Sequence, residues 1–344
     1  MCCGRCCIIY SICSAIVLLL LVLVFFVILP ITFMFSLGMQ RSLIFPTYLI
    51  NPENYSNPEQ YGISGVRNMY VDFLYPTENI TIGMWQILPK EIVSDVIRNE
   101  EYNFEGVLAD DKYYILLYLH GNGSDRTKRV PLYEILRKFF HVFAIDYRGY
   151  ADSSGGNNLS ETSVVKDVVS VYKWLRERSK SKIFIWGHSL GTGVATHLLA
   201  NLKKDNISAM GLALETPFTS VTDVVKKHPL VTTFSFLPWW HATLVNPLIN
   251  NDFNFDSASY IKDVDCPIMI LHAKDDEDVP YQLATQLYYT ALNQRNFTYQ
   301  GNVIYHLFEP KGYGHMMLYR ESDLPKYVKL FVNECVKFSS ARGV

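Results

Sequence analysis

Five residues, Gly187-His188-Ser189-Leu190-Gly191, constrain the fold of this chain more than any others. They follow the β-branched and aromatic run Ile183-Phe184-Ile185-Trp186 and precede a stretch from Thr192 to Leu202 that suits a helix. A G-x-S-x-G pattern between strand and helix forces its central residue into a strained backbone conformation, and its glycines remove Cβ atoms where strand and helix come closest. The serine hydroxyl then stands above the sheet as a candidate nucleophile. The same pentapeptide also occurs in plain glycine-rich turns, so its meaning depends on what accompanies it.

A serine hydroxyl is a weak nucleophile at neutral pH. Catalysis therefore asks for a histidine base, a carboxylate to orient it, and donors for the developing oxyanion. With this kind of turn the chain order is Ser, then Asp or Glu, then His. Downstream, Pro267-Ile268-Met269-Ile270-Leu271-His272 reads as a buried strand, and acids cluster beyond it at Asp275, Asp276, Glu277 and Asp278. Charge and composition do not separate Asp275, Asp276 and Asp278; the D-x-x-V-P framing from Asp276 to Pro280 favours Asp276 as the orienting acid. The next strand pattern, Val303 to Phe308, leads to the loop Gly312-Tyr313-Gly314-His315 and then to an amphipathic helix near Leu324 to Phe338. His315 thus falls where the base belongs. Upstream, the apolar strand Tyr114 to Tyr118 is followed by Leu119-His120-Gly121-Asn122-Gly123, a loop suited to offering the main-chain N–H of Asn122 to an oxyanion alongside that of Leu190.

The other histidines have plainer readings. His306 lies inside a strand pattern, His197 lies on the helix after the serine, and His120 reads as packing beneath its loop. His141 and Asp146 form an H-x-x-x-x-D match that runs from a strand into a turn, which reads as coincidence. His228 and His241 belong to a later aromatic segment and could touch substrate, although nothing in their spacing requires it.

On these residues the chain resembles the membrane-bound α/β-hydrolase-domain lipases that cleave lysophosphatidylserine and monoacylglycerols. The resemblance is carried by Leu119-His120-Gly121-Asn122, Phe143 to Gly149, Ile185 to Thr196, Leu214 to Thr219, Leu271 to Asp276 and Gly312 to His315, so it covers most of the chain beyond about Phe45. It implies an α/β-hydrolase fold, a mostly parallel central sheet flanked by helices. It also implies Ser189 as nucleophile, Asp276 as orienting acid, His315 as base, and Asn122 with Leu190 as oxyanion donors, with no cofactor and no metal. Two departures stand out: Ala151 occupies a turn position where such proteins usually have glycine, and Gly123 sits one place before the expected glycine near Ser124.

The N-terminus carries a second constraint. From Cys6 to Gln40 there is no charged side chain, and Ile8 to about Leu37 exceeds the roughly 20 apolar residues that span a bilayer. A cleaved signal peptide usually has a shorter apolar region of about 7–15 residues and a small-residue cleavage site, so an uncleaved anchor is the better reading. Pro30 is placed to kink or end the helix. Arg5 and Arg41 flank the span too evenly to orient it. Cys2, Cys3, Cys6, Cys7 and Cys13 cluster at its start, as expected for thiols kept reduced or S-acylated on the cytosolic face. The remaining Cys266 and Cys335 impose no disulfide framework. The catalytic domain is then expected in the lumen of the endoplasmic reticulum. N-x-S/T sequons at Asn54, Asn79, Asn158, Asn206 and Asn296 agree with a glycoprotein, while a further one at Asn122 lies in the oxyanion loop.

The predicted organisation is a Cys-rich cytosolic tail (1–7), a transmembrane signal anchor (8–37), a linker (38–60) and one hydrolase domain (61–344) with a small helical lid insertion at about 228–256. Strand-like runs alternating with helical periodicity, as in Glu161 to Arg178, indicate a mostly parallel sheet. The lid segment is rich in aromatics, and Phe236, Trp239 and Trp240 are expected to receive an acyl chain and to suit a membrane interface. A net charge of −2 offers no basic surface for nucleic acid, so the expected partners are the membrane and a lipid substrate drawn from it. Two other functions fit the same fold. A protein depalmitoylase would act in the cytosol without a spanning segment, and a silent hydrolase-fold binding protein would typically lack a triad member.

Overall fold

The apolar runs of the sequence become the strands of one sheet. The computed structural model describes residues 4–50, 53–94 and 102–342. Its strands are β1 (Val66–Leu74), β2 (Asn79–Ile87), β3 (Ile115–Leu119), β4 (His141–Ile145), β5 (Ile183–His188), β6 (Gly211–Glu215), β7 (Ile268–Ala273) and β8 (Val303–Phe308). They lie in the order β1-β2-β4-β3-β5-β6-β7-β8. β1 and β2 form an antiparallel hairpin, β2 pairs antiparallel with β4, and every later pairing is parallel. Every residue of β3 to β7 is buried, as expected for strands covered by helices on both faces. The fold is the predicted α/β arrangement. Cys266 and Cys335 are buried free thiols.

At the N-terminus, α1 (Gly4–Leu23) runs through a π-helical turn, Val24–Ile28, into α2 (Leu29–Phe35). The stretch Cys7–Phe35 is long and apolar enough to cross a membrane, with a mean hydropathy of 3.5 over an 18-residue window within it. Cys2 and Cys3 lie outside the described residues. Pro30 does not end the helix; it sits in the first turn of α2. A proline has no N–H to give the carbonyl four residues back, which here belongs to Phe26. That carbonyl accepts the indole N–H of Trp239 at 3.4 Å instead.

The structure departs from the expected linker at 38–60. Ser36 caps the N-terminus of α3 (Leu37–Ile44), accepting the N–H of Met39 at 3.2 Å, and Gln40, Ile44 and Phe45 are buried. The sequence concealed this because the segment is too short for a clear helical period. Asn51 and Pro52 lie outside the described residues.

Three helices position the site. α4 (Glu161–Arg178) starts at a capping box between Ser160 and Ser163, α5 (Leu190–Lys204) follows β5 directly, and α6 (Val221–Lys227) follows β6. The turn after β4 explains the unusual Ala151, whose φ of 52° lies in the left-handed region. An alanine there pays a steric penalty of about 1 kcal/mol that glycine avoids, offset in part by glycine's freer unfolded chain. We therefore expect Ala151→Gly to raise the chemical-denaturation midpoint of the full-length protein slightly; a clear fall would show that the left-handed turn is not under strain.

Candidate active site

Ser189 occupies the turn between β5 and α5, with φ 52° and ψ −119°. Its glycines are required by contact. A Cβ on Gly187 would lie 2.4 Å from the carbonyl oxygen of Gly191, and one on Gly191 would lie 2.2 Å from that of Leu119. The strained serine is held by its own N–H, which donates to the Glu215 carbonyl at 3.0 Å. Its carbonyl accepts the N–H and hydroxyl of Thr192 at 2.8 and 2.7 Å. Non-glycine residues adopt such backbones only where the surroundings over-determine them.

Asp276 stands just beyond β7. Its Oδ1 accepts the N–H groups of Asp278 (3.0 Å) and Val279 (2.9 Å), and its Oδ2 accepts Nδ1–H of His315 at 2.8 Å. Burial alone would raise this carboxyl, but hydrogen bonds from His272 and His315 hold it well below the usual carboxylate range. Ser189 and His315 line one cavity of about 450 Å³, with Asn122, Leu190 and Asp278 beside them. Leu190 is the first residue of α5, so its N–H has no acceptor within the helix. The structure thus brings Ser189, Asp276, His315, Asn122 and Leu190 together.

Several supporting groups were not singled out from the sequence. Asp275, weighed only as an alternative acid, accepts the N–H groups of Gly312, Tyr313 and Gly314 at 2.7, 3.1 and 3.2 Å, clamping the loop that carries His315. His272 is fully buried, with Nε2 lying 3.1 Å from Asp276 Oδ2 and 2.9 Å from the Val279 carbonyl. His188 donates from Nε2 to the His315 carbonyl at 3.0 Å, and Arg129, paired with buried Glu215, donates to the Met316 carbonyl at 2.6 Å. Of these, only Asp275 carried a signal, its place at a strand tip.

The aromatic residues of the lid are a correction. Phe236, Trp239 and Trp240 do not line the cavity. Phe236 packs edge-on against Phe26 at 5.4 Å, Trp239 donates to the Phe26 carbonyl, and Trp240 lies against His241. Phe26 of the N-terminal helix thus takes up the Phe236 ring and the Trp239 indole N–H. The cavity is instead lined by Phe218, Val221, Val224, Val225, His228 and Val231, together with Leu43 and Ile44. The remaining histidines have structural partners: His120 donates to the Gly121 carbonyl, His141 meets Gln86, His197 pairs with Glu161, and His306 lies on Tyr327. Asp276, Asp278 and His315 bring potential metal-ligand atoms within 4.8 Å of one another, an arrangement that the Asp276–His315 hydrogen bond already explains.

This sheet order, with a serine on a strained strand-to-helix turn, defines an α/β-hydrolase of the serine hydrolase class. The profile described as serine aminopeptidase, S33, matches residues 112–259. The lysophosphatidylserine lipase ABHD12 of Mus musculus is 32% identical over 323 residues, spanning 92% of this chain and 80% of its own length. Protein ABHD12B of Homo sapiens is 31% identical over 76% of this chain and 72% of its own. Among solved structures, a Pyrococcus furiosus esterase superposes with a TM-score of 0.57 at 19% identity, over 83% of this chain and 97% of that one. The chain belongs to the ABHD12 family of α/β-hydrolases and is a serine ester hydrolase.

Burial pushes the imidazole of His120 down to about 4 and that of His141 down to about 3. Both are neutral in the folded chain, whereas the unfolded chain binds protons on them below about 6.5. The stability they contribute is therefore complete above about pH 6.5 and is lost as pH falls toward those lower values. In urea titrations followed by tryptophan fluorescence, the loss between about pH 7 and about pH 5 should be smaller in His141→Gln than in the unaltered protein. Equal slopes would contradict a neutral buried imidazole at this position.

Proposed function

We propose that this chain is a membrane-anchored lipase that cleaves the acyl ester of lysophospholipids, lysophosphatidylserine above all, and of monoacylglycerols. The observation that carries this reading is a paired Asp276–His315 beside Ser189, in a cavity whose wall is largely aliphatic. The likeness to a lysophosphatidylserine lipase over most of the chain supports the head group. The apolar helix Cys7–Phe35, whose Phe25 and Phe26 pack on lid residues Phe234 and Phe236, supports delivery of substrate from a bilayer.

In this mechanism Nε2 of His315 takes the Ser189 proton as the hydroxyl attacks the ester carbonyl, and Asp276 holds the imidazole in the required tautomer. The N–H groups of Asn122 and Leu190 bind the oxyanion. Collapse of the tetrahedral intermediate releases the deacylated glycerol or glycerophospho head group as the alcohol, protonated by His315. Water, activated by the same base, then frees the fatty acid and restores Ser189. Asp275, His272 and His188 keep the acid and base in register.

We place the anchor in the endoplasmic reticulum membrane with the catalytic domain in the lumen. The asparagines of the sequons at 54, 79, 158, 206 and 296 are all exposed, which this orientation requires of any that are glycosylated. One experiment tests substrate and orientation together. In microsomes expressing the full chain, Ser189→Ala should reduce fatty-acid release from lysophosphatidylserine by at least about a thousandfold. Glycosidase treatment of the same samples should increase the protein's mobility. Undiminished release would overturn the substrate and mechanism, and unchanged mobility with protease digestion of the domain in sealed vesicles would overturn the orientation.

A further inference from the structure

The segment that continues the N-terminal apolar helix enters the catalytic cavity. Leu43 and Ile44, in the last turn of α3, line the same space as Ser189 and His315. They differ in exposure: Ile44 is 5% exposed and Leu43 48%, so Ile44 forms inner wall and Leu43 forms rim.

Their position is fixed by polar and aromatic contacts at Gln40, Arg41 and Phe45. Gln40 is buried, donates to the carbonyls of Phe33 (2.7 Å) and Met34 (3.1 Å), and accepts the side-chain amide of Asn251 at 2.7 Å. Arg41 donates to the carbonyls of Leu159 (3.1 Å) and Asn157 (2.9 Å), just ahead of α4. Phe45 lies edge-on against Phe253 and Phe255, with ring centroids 6.1 and 6.0 Å away. Phe255 in turn fills the space at Gly193 of α5, where an added Cβ would lie 2.8 Å from the Phe255 Cβ. A chain of contacts therefore runs from α3 to the helix that carries the nucleophile. Buried polar groups satisfied in this way specify one arrangement of the elements they join.

We propose that Leu43 and Ile44 are the acyl-selecting wall of the catalytic cavity, which makes the segment after the apolar helix a working part of the site as well as its tether. Phe218, Val221, Val224 and Val225 line the same cavity. An acyl chain bound to Ser189 lies among these apolar side chains. Short acyl groups react without reaching the rim, whereas long ones must pass Leu43. The proposal rests on ester hydrolysis at Ser189 and on no particular head group.

The test uses full-length protein in detergent and p-nitrophenyl acetate, octanoate and palmitate, so that it does not depend on the lysophospholipid reading. Leu43→Trp fills the rim and Leu43→Ala strips its apolar surface; at a half-exposed position both substitutions are compatible with folding. In each, the palmitate-to-acetate ratio of kcat/KM should fall about tenfold, mainly through KM. A dansyl-labelled fatty acid titrated into Ser189→Ala and into Ser189→Ala/Leu43→Trp reads the same wall without turnover, and its Kd should rise about tenfold in the double variant. Ratios and affinities within about twofold of the parent proteins would overturn the proposal. A shifted ratio in an enzyme that ignores lysophosphatidylserine would leave the wall standing and remove only the proposed substrate.

Discussion

The left-handed backbone at Ser189 is the constraint on which the site is built. Such a backbone costs of order 1–3 kcal/mol and persists only where neighbours enforce it. Here the start of α5 lies so close to β5 and β3 that neither Gly187 nor Gly191 has room for a Cβ. The Leu119 carbonyl that excludes a side chain at Gly191 belongs to the strand leading into the Asn122 loop. The Ser189 turn and the Asn122 loop are therefore packed against each other through main-chain atoms, a geometry that side-chain motion does not disturb.

The base is positioned differently, by buried polar ties. Asp275 takes three N–H groups of the His315 loop, Asp276 takes the imidazole, and His188 reaches the His315 carbonyl from the residue next to the nucleophile. The buried Arg129–Glu215 pair extends this network from β6 to Met316, and Trp186 of β5 donates its indole N–H to Glu215 at 2.8 Å. Buried ion pairs add little net stability but are costly to break singly, so their contribution here is to register. The two adjacent acids at the end of β7 divide the labour: one holds the loop, the other the ring.

Much of this was legible in the sequence, for identifiable reasons. Buried parallel strands are near-continuous apolar runs, so β3, β5 and β7 stood out within a residue or two, as did the half-buried β8 and the helix at Glu161 to Arg178. Ser189, Asp276 and His315 were legible because each sits at a strand end beside glycines or a Val-Pro pair. His188 was hidden because its partner, the His315 carbonyl, lies 127 residues away in the chain, and His272 because it reads as an ordinary residue of a buried strand although Asp276 is only four residues on. The lid tryptophans misled because composition tells what an aromatic ring prefers and not which apolar surface it reaches first. Leu43 and Ile44 were hidden for the opposite reason: they belong to a segment that reads as the tail of a span or as a linker, and only packing reveals them as cavity wall.

The apolar helix, the lid and the catalytic cavity thus form one connected body. Pro30 frees the Phe26 carbonyl for Trp239, Phe25 and Phe26 cover the lid aromatics, and α3 delivers Leu43 and Ile44 to the serine. Everything in this arrangement converges on acyl transfer to one oxygen atom. The direct measurement is to mix the full-length protein with a slowly hydrolysed p-nitrophenyl ester, quench in acid during turnover, and weigh the peptides. Acylation of Ser189 predicts the acyl mass on the peptide containing that residue, and its absence at the same time point in His315→Ala. An unmodified Ser189 peptide during steady release of p-nitrophenol would contradict it.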